Sequence, residues 1–292
     1  MKRRASVFTL FLLVALSAAS QYAQAVSLRV DCDKHDSISK VLHLLAKANP
    51  QGPNRVTVSG SCEGNLVIKS MDRLTLITLT GASITDRSNG TLAVVDIEDS
   101  QKVTLQGFTI NGGAQGILCS TASLCYLTGN TIQGPGHFGV NVLKGSRAFL
   151  ESNVIQNWGR GAFITGAQVF SSNDVFQGNG GSGIAALVGS YFESLVMDLN
   201  GGTVSDNSRI GVRMLGGNVV FQGPTITGNG GVGVHLEDGA FAGFLAANIT
   251  GNLGGLDIEC TPQFPITRFV DRTGGITNCV ESASSSRQKA VQ

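Results

Sequence analysis

Gly116-Ile-Leu-Cys119 is followed down the chain by Gly139-Val-Asn-Val142, Gly161-Ala-Phe-Ile164, Gly183-Ile-Ala-Ala186, Gly211-Val-Arg-Met214, Gly233-Val-His-Leu236 and Gly255-Leu-Asp-Ile258. The leading glycines are separated by 23, 22, 22, 28, 22 and 22 residues. A near-constant step in this range marks a stacked-repeat architecture, in which each unit buries its apolar face against its neighbours. After each glycine two residues of the strand face inward with one between them, the period-2 pattern of a half-buried strand. A second strand follows, as in Val103/Leu105, Cys125/Leu127 and Ala148/Leu150. An Asn/Gly-rich turn then leads to a third inward position: Ile110, Ile132, Ile155, Phe176, Val204, Ile226 or Ile249. No repeat carries a helical stripe. Three short strands and three corners per repeat predict an all-β fold, one coil of a parallel β-helix per repeat.

The pattern extends upstream. Leu66/Ile68 and Leu74/Leu76 match Val95/Ile97 and Val103/Leu105 at an offset of 29, one coil plus a seven-residue insertion expected near Thr80–Asn89. A second insertion, of six residues, falls between Gly183 and Gly211 and includes Gly189-Ser-Tyr-Phe-Glu193. Counted from Leu66 the chain holds about nine coils, a stack ~40 Å long at the usual ~4.8 Å between strands. Insertions in solenoids protrude as loops, so these two are expected to wall a groove.

Composition agrees with this reading. Gly makes up 39 of 292 residues, and corners and close coil approaches need it. Asn130, Asn153, Asn173, Asn229, Asn248 and Asn252 sit at expected corners, where stacked amides can form a ladder. A net charge of +1 leaves no basic stripe and argues against a nucleic-acid partner.

Residues 1–25 read as a secretory signal peptide. Lys2, Arg3 and Arg4 precede an apolar stretch from Val7 to Ala19, and Ala23-Gln-Ala25 offers a cleavage site. No later segment is apolar enough for a membrane span, and an exported, periplasmic or extracellular protein is expected. The expected organisation is an N-terminal cap with a short helix at 26–51, the β-helix at 52–260, a C-terminal cap at 261–281 and a disordered tail at 282–292. The cap helix is placed at Asp36–Ala48, with Ile38, Val41, Leu42 and Leu45 apolar.

Six cysteines in an exported chain suggest three disulfides. Cys32 with Cys62 would staple the N-terminal cap, and Cys260 with Cys279 the C-terminal one, covering strand edges that an open stack leaves unpaired. Cys119 and Cys125 face inward on either side of one corner. They form either a bridge or two buried thiols acting as small hydrophobes. No C-x-x-C or nearby His suggests a metal, and nothing calls for a cofactor.

The passage Asp31-Cys…Ser37-Ile38…Val56-Thr-Val-Ser-Gly-Ser-Cys62-Glu-Gly-Asn-Leu-Val-Ile68 and the Gly-Val-x-Val…Asn-x-Ile repeats resemble the right-handed parallel β-helix proteins of the pectin-lyase-like superfamily. The resemblance spans roughly residues 30 to 280 and implies the fold and its hand. It leaves activity open, because that superfamily includes lyases, hydrolases, epimerases and proteins without catalysis. The Asn-Thr-Asp, Asp-Asp and Gly-His-Gly signatures of polygalacturonase-like members do not occur here.

The repeat register also sorts outward-facing residues. The position two after each glycine reads Val67, Asp96, Leu118, Asn141, Phe163, Ala185, Arg213, His235, Asp257. Two further on it reads Lys69, Glu98, Ser120, Leu143, Thr165, Leu187, Leu215, Glu237, Glu259. The middle of this face lacks carboxylates, which argues against a lyase or hydrolase of known pattern. Leu118, Phe163, Ala185, Leu143, Leu187 and Leu215 are expected to form an apolar patch, covered by the second insertion or by another subunit. Arg213, His235 and Asp257, flanked by Glu237 and Glu259, are the one candidate catalytic row, with His235 as base and Arg213 facing a sugar carboxylate. The alternative for that row is a surface charge ladder. The favoured expectation is a non-catalytic, exported glycan- or protein-binding β-helix. The alternatives are a lyase or epimerase of acidic polysaccharide centred on His235, and a purely structural surface component.

Overall fold

In the computed structural model, residues 25–187, 196–261, 266–270 and 276–279 are described. The expected signal peptide, the tail and most of the expected C-terminal cap lie outside these residues. So does Gly189-Ser-Tyr-Phe-Glu193.

The chain is a parallel β-helix of three sheets, visited in turn by each coil. Among the described residues sheet A has 11 strands, from Val26–Asp31 to Ile266–Val270. Sheet B has nine short strands there, from Ser61–Glu63 to Asn248–Ile249. Sheet C has nine, from Leu66–Lys69 to Ile258–Cys260, and carries the strand residues of the glycine-led motifs as far as Val234–Glu237. All pairings between these strands are parallel, with Ile97 beside Cys119, Cys119 beside Val142 and so on. The inward columns are dry: Ile68, Ile97, Ile164, Ala186 and Met214 are each 0% exposed. At ~25 cal/mol per Å2 of apolar surface removed from water, these columns are the main stabilising term. Phe221 and Phe244 stack inside, their rings 4.8 Å apart.

The repeating glycine has a steric cause. A Cβ on Gly211 would stand 2.5 Å from the Gly233 carbonyl oxygen one coil on, and one on Gly161 equally close to Gly183. Only glycine lets the coils approach this closely at the entry to sheet C.

Each corner carries its own polar ladder. Between sheets C and A, Met71, Ser100 and Ser123 each donate their backbone N–H to the hydroxyl of Ser100, Ser123 and Ser146 respectively, all at 3.1 Å. Between A and B the run is Phe108, Asn130, Asn153, Asp174, each backbone N–H donating to the next side-chain oxygen. Between B and C it is Trp158, Asn179, Asn207, Asn229, Asn252, Asp257. Both Asn ladders end on an aspartate. Buried corner N–H groups would otherwise be orphaned, at a cost of about 1–3 kcal/mol each. Asn173 and Asn248, expected in corners, are not rungs. Asn173 takes a left-handed backbone (φ 55), and Asn248 opens a strand.

Three features differ from the sequence reading. Val26–Asp31, inside the expected cap, is a strand paired with Asn54–Ser59, so sheet A begins before the helix. The seven extra residues do not form one insertion: Thr75 pairs with Thr104 but Ser83 with Thr109, so three fall in the corner ahead of Ser83–Thr85 and four in the loop 86–92 ahead of Ala93–Glu98, on either side of the strand within the expected stretch. Asp86 organises that loop by accepting from Asn65 Nδ2, the N–H and hydroxyl of Ser88, and Gly90 N–H. The third difference, in the final coil, changes the candidate site.

The helix Ile38–Ala48 closes the N-terminal end of the stack. Ser37 caps it, accepting from Lys40 N–H, and Ile38, Leu42 and Leu45 are buried beneath it. Cys32–Cys62 ties this cap to sheet B, and Cys260–Cys279 holds the last strand of sheet C. Cys119 and Cys125 are bonded, closing a corner with Cα atoms 6.5 Å apart. Among the described residues no helix is long and apolar enough to cross a membrane.

Candidate functional site

The outward face of sheet C carries the sequence-predicted residues. Arg213 is paired in register with His235, and Leu215 with Glu237. His235 then pairs with Glu259, not Asp257. The final coil steps 24 residues between these partners, two more than the repeat, and the sequence alignment on Gly255 misses the slip. Asp257 occupies the place of a repeat glycine. Val234 N–H donates to the Asp257 carbonyl as Val212 N–H does to that of Gly233. Its carboxylate faces the corner, accepting from Asn252 N–H and Nδ2 with one oxygen and from Ile276 N–H with the other. Asp257 is therefore the foot of a ladder and does not orient His235.

The row that remains is Arg213, Glu237, His235 and Glu259. Arg213 meets Glu237 through two bonds, Nε to Oε1 at 2.6 Å and Nη2 to Oε2 at 3.0 Å. His235 Nδ1 lies 3.2 Å from the same Glu237 Oε1, and its Nε2 lies 3.6 Å from Glu259. The Arg213 guanidinium beside Glu237 holds its carboxyl below the usual carboxylate range, against the opposing effect of burial. Arg213 already has a bidentate partner, so its fork is not open to a sugar carboxylate.

The centre of the face is not bare. Leu118, Leu143, Phe163, Leu187 and Leu215 are all half-buried and Ala185 is buried. Arg160 lies over the rings of Phe138 and Phe163 at 5.8 and 5.6 Å, and those rings stack at 4.6 Å. The residues expected to cover the patch, around Tyr191 and Phe192, lie outside the described residues.

Polar atoms among these apolar side chains carry more information. Among the described residues, three buried side-chain oxygens have no hydrogen-bond partner: Asp96 Oδ1, Asn141 Oδ1 and Thr165 Oγ1. All three belong to the outward columns of sheet C. Asn141 is only 3% exposed, and its Nδ2 donates to Gln115 while its oxygen has no donor. Burial, with Glu98 nearby, raises the pKa of Asp96. These positions were visible in the sequence columns, but nothing in a single sequence shows that an outward amide is buried and unpaired.

The edge of this face carries further cationic side chains. Where sheet B turns into sheet C, His137, Phe138, Arg160, Gly181, Arg209 and Arg213 border a groove of about 330 Å3. The signal available was that His137, Arg160 and Arg209 each stand just ahead of a glycine-led strand.

The sequence matches a family described as "Right handed beta helix region" over residues 54–194 and 93–253. Comparison with curated protein sequences finds no match. Solved structures share the architecture at low identity. The mannuronan C-5 epimerase AlgE4 A-module of Azotobacter vinelandii superposes with a TM-score of 0.63 at 16% identity, covering 80% of this chain and 82% of that one. Pectate lyase Pel9A gives 0.55 at 8% identity, covering 88% and 81%. The Dettilon tailspike protein gp208 gives 0.50 at 12%, and the match spans 81% of this chain and 60% of the tailspike. At these identities the likeness is one of fold. The glycine-led coils, the three parallel sheets and the family match together establish that this chain belongs to the right-handed β-helix family.

Proposed function

We propose that this protein is an exported, non-catalytic β-helix that binds a glycan chain along the outward face of sheet C. The observation that carries the reading is the placement of the three unpartnered buried oxygens on that one face. An acceptor left unpaired in a shielded site costs about 1–3 kcal/mol, and a donor-rich ligand would remove that cost. Sugar hydroxyls are such donors, and the flanking Leu118 and Phe163 suit the apolar faces of pyranose rings. From Asp96 to Arg213 the column climbs five coils, roughly 24 Å at ordinary strand spacing, room for several linked sugars. That two structures sharing this fold are named for mannuronan and pectate supports a saccharide ligand. Three disulfides suit an oxidising compartment outside the cytosol.

The reading is non-catalytic because the candidate row has lost two of its parts. Arg213 is engaged by Glu237, and Asp257 is engaged by Asn252 and Ile276. The enzymatic alternative, a lyase or epimerase of acidic polysaccharide, keeps only His235 between Glu237 and Glu259. A second copy covering Leu118, Phe163 and Leu187 is a competing use of the same face.

A polysaccharide panel tests this, with binding measured for the wild type and Asn141→Leu beside the absorbance of unsaturated uronates. Saturable binding that weakens at least ~10-fold in the variant, about 1.4 kcal/mol, with no new absorbance, supports the reading. Product formation abolished by His235→Ala would replace it with the enzymatic one. Self-association lost on Phe163→Ser, with no glycan bound, would assign the face to a second subunit.

A further inference from the structure

The groove at the corner of sheets B and C differs in charge from the rest of the molecule. The chain as a whole is nearly balanced, with 21 Lys+Arg against 20 Asp+Glu. The groove is bordered by three arginines and one histidine, and no carboxylate is among its lining residues. Arg213 is paired with Glu237. Arg160 and Arg209 have no ion pair and no side-chain hydrogen bond among the described residues. Arg160 is positioned by the rings of Phe138 and Phe163, a contact that fixes a guanidinium without satisfying its N–H donors. Arg209 is exposed at the rim.

An independent observation lies beside this wall. Asn141 sits three residues beyond Phe138 on the same strand, 97% buried by its 3% exposure, with its Oδ1 unpaired. Unpaired cationic donors and an unpaired neutral acceptor therefore adjoin on one face. A ligand that answers both must present an anion and, farther along the same face, a hydroxyl donor.

Resting on the reading that sheet C binds glycan, we infer that the His137–Arg160–Arg209 groove is an anion subsite, making the ligand an anionic polysaccharide. Its oxyanion substituent, carboxylate or sulfate, seats between Arg160 and Arg209, and a hydroxyl of the same or the next sugar donates to Asn141. Guanidinium suits either oxyanion because its planar fork offers two parallel donors. The glycines at 159, 180 and 181 keep that border of the groove free of side chains, so a bulky substituent can reach the arginines.

Three polymers separate the possibilities: polygalacturonate, dextran sulfate and uncharged dextran, titrated against the wild type, Asn141→Leu and the double variant Arg160→Gln/Arg209→Gln. The expected result is that an anionic polymer binds, with affinity falling steeply as salt rises. Dextran should bind at least ~10-fold more weakly, and the double variant should lose at least ~10-fold on the anionic polymer. Which of the two anionic polymers binds more tightly assigns the substituent as carboxylate or sulfate. Arg160→Lys/Arg209→Lys, which keeps charge but loses the fork, should fall between, and thermal melts of each variant check folding. Anionic binding that Asn141→Leu weakens but the double variant leaves intact would overturn the anion subsite and spare the glycan face. Equal binding of dextran would do the same. No binding of any of the three polymers, with the wild type folded, would overturn both.

Discussion

Asn252 donates both its backbone N–H and its Nδ2 to a single oxygen of Asp257, at 3.1 and 3.0 Å. That pair closes a ladder running from Trp158 through Asn179, Asn207 and Asn229. In every other step the acceptor is an Asn about one coil on. Here it is an aspartate five residues on, standing where the repeat glycine should be. Asp257 is the terminal acceptor of this ladder, and its other oxygen accepts from Ile276 N–H.

Asp257→Ala should therefore destabilise the C-terminal coils, leaving the Asn252 donors and Ile276 N–H unpaired. The expected loss is about 1–3 kcal/mol. Asp257→Asn keeps the accepting Oδ1 and should lose less. Hydrogen exchange across 248–260 reads this directly. Unchanged protection in the alanine variant would remove Asp257 from its structural role and reopen its place beside His235.

The other Asn ladder ends on Asp174, which is 0% exposed. Burial raises its pKa, and the bonds from Ser171 and Asn153 offset this only in part. The folded chain thus holds a proton at a pH where the unfolded chain, near 3.9, has released it. The sign follows: this residue's contribution to stability declines as pH rises from the unfolded value through the raised one. Asp174→Asn has no proton to lose and can still accept from Asn153. It should gain on the wild type as pH climbs from about 3 to 7, measured by urea midpoints. A stability difference flat with pH would show that Asp174 titrates alike in both states.

The solenoid was legible because stacking imposes one period on every coil. Glycine is forced wherever neighbouring coils nearly touch, as at Gly211 against Gly233, and a forced residue recurs visibly. The disulfide positions were legible because Cys32, Cys62, Cys260 and Cys279 bracket the ends of the repeat. The final coil was not. Gly255 keeps the spacing while the backbone slips by two residues, and a period count cannot see a slip that preserves a glycine. Asn179 and Asn207 escaped notice among many corner asparagines, although Asn207, Asn229 and Asn252 lie 22 and 23 residues apart. Arg160 and Arg209 stand just ahead of repeat glycines two coils apart, and nothing in their spacing shows that they border one groove.

The Arg213–Glu237 pair should give the opposite pH dependence to Asp174. The arginine lowers the pKa of Glu237, so its contribution is present above the unfolded value near 4.3 and is lost as pH falls through the lowered one. Arg213 is 38% exposed, so solvent screening limits the pair to about 1 kcal/mol. Glu237→Gln should cost that much at neutral pH and nothing in acid. A cost that persists in acid would trace to packing and not to charge. The same substitution frees the Arg213 fork beside the groove and should strengthen binding of an anionic polymer.

Asn141 allows stability and binding to be separated. Asn141 stands in register between Leu118 and Phe163, and an apolar side chain of similar size would remove a buried acceptor that has no donor. Deleting such a group can be neutral or stabilising, in contrast to deleting one member of a made bond. The bond from Nδ2 to Gln115 is lost, but Gln115 is half-exposed and can turn to water. Asn141→Leu should therefore unfold within about 1 kcal/mol of the wild type, on either side. Its glycan affinity should nonetheless fall at least ~10-fold. A residue kept for the fold alone would show the reverse, a marked loss of stability with binding per folded molecule unchanged. Melting curves and titrations on the same preparation decide between the two.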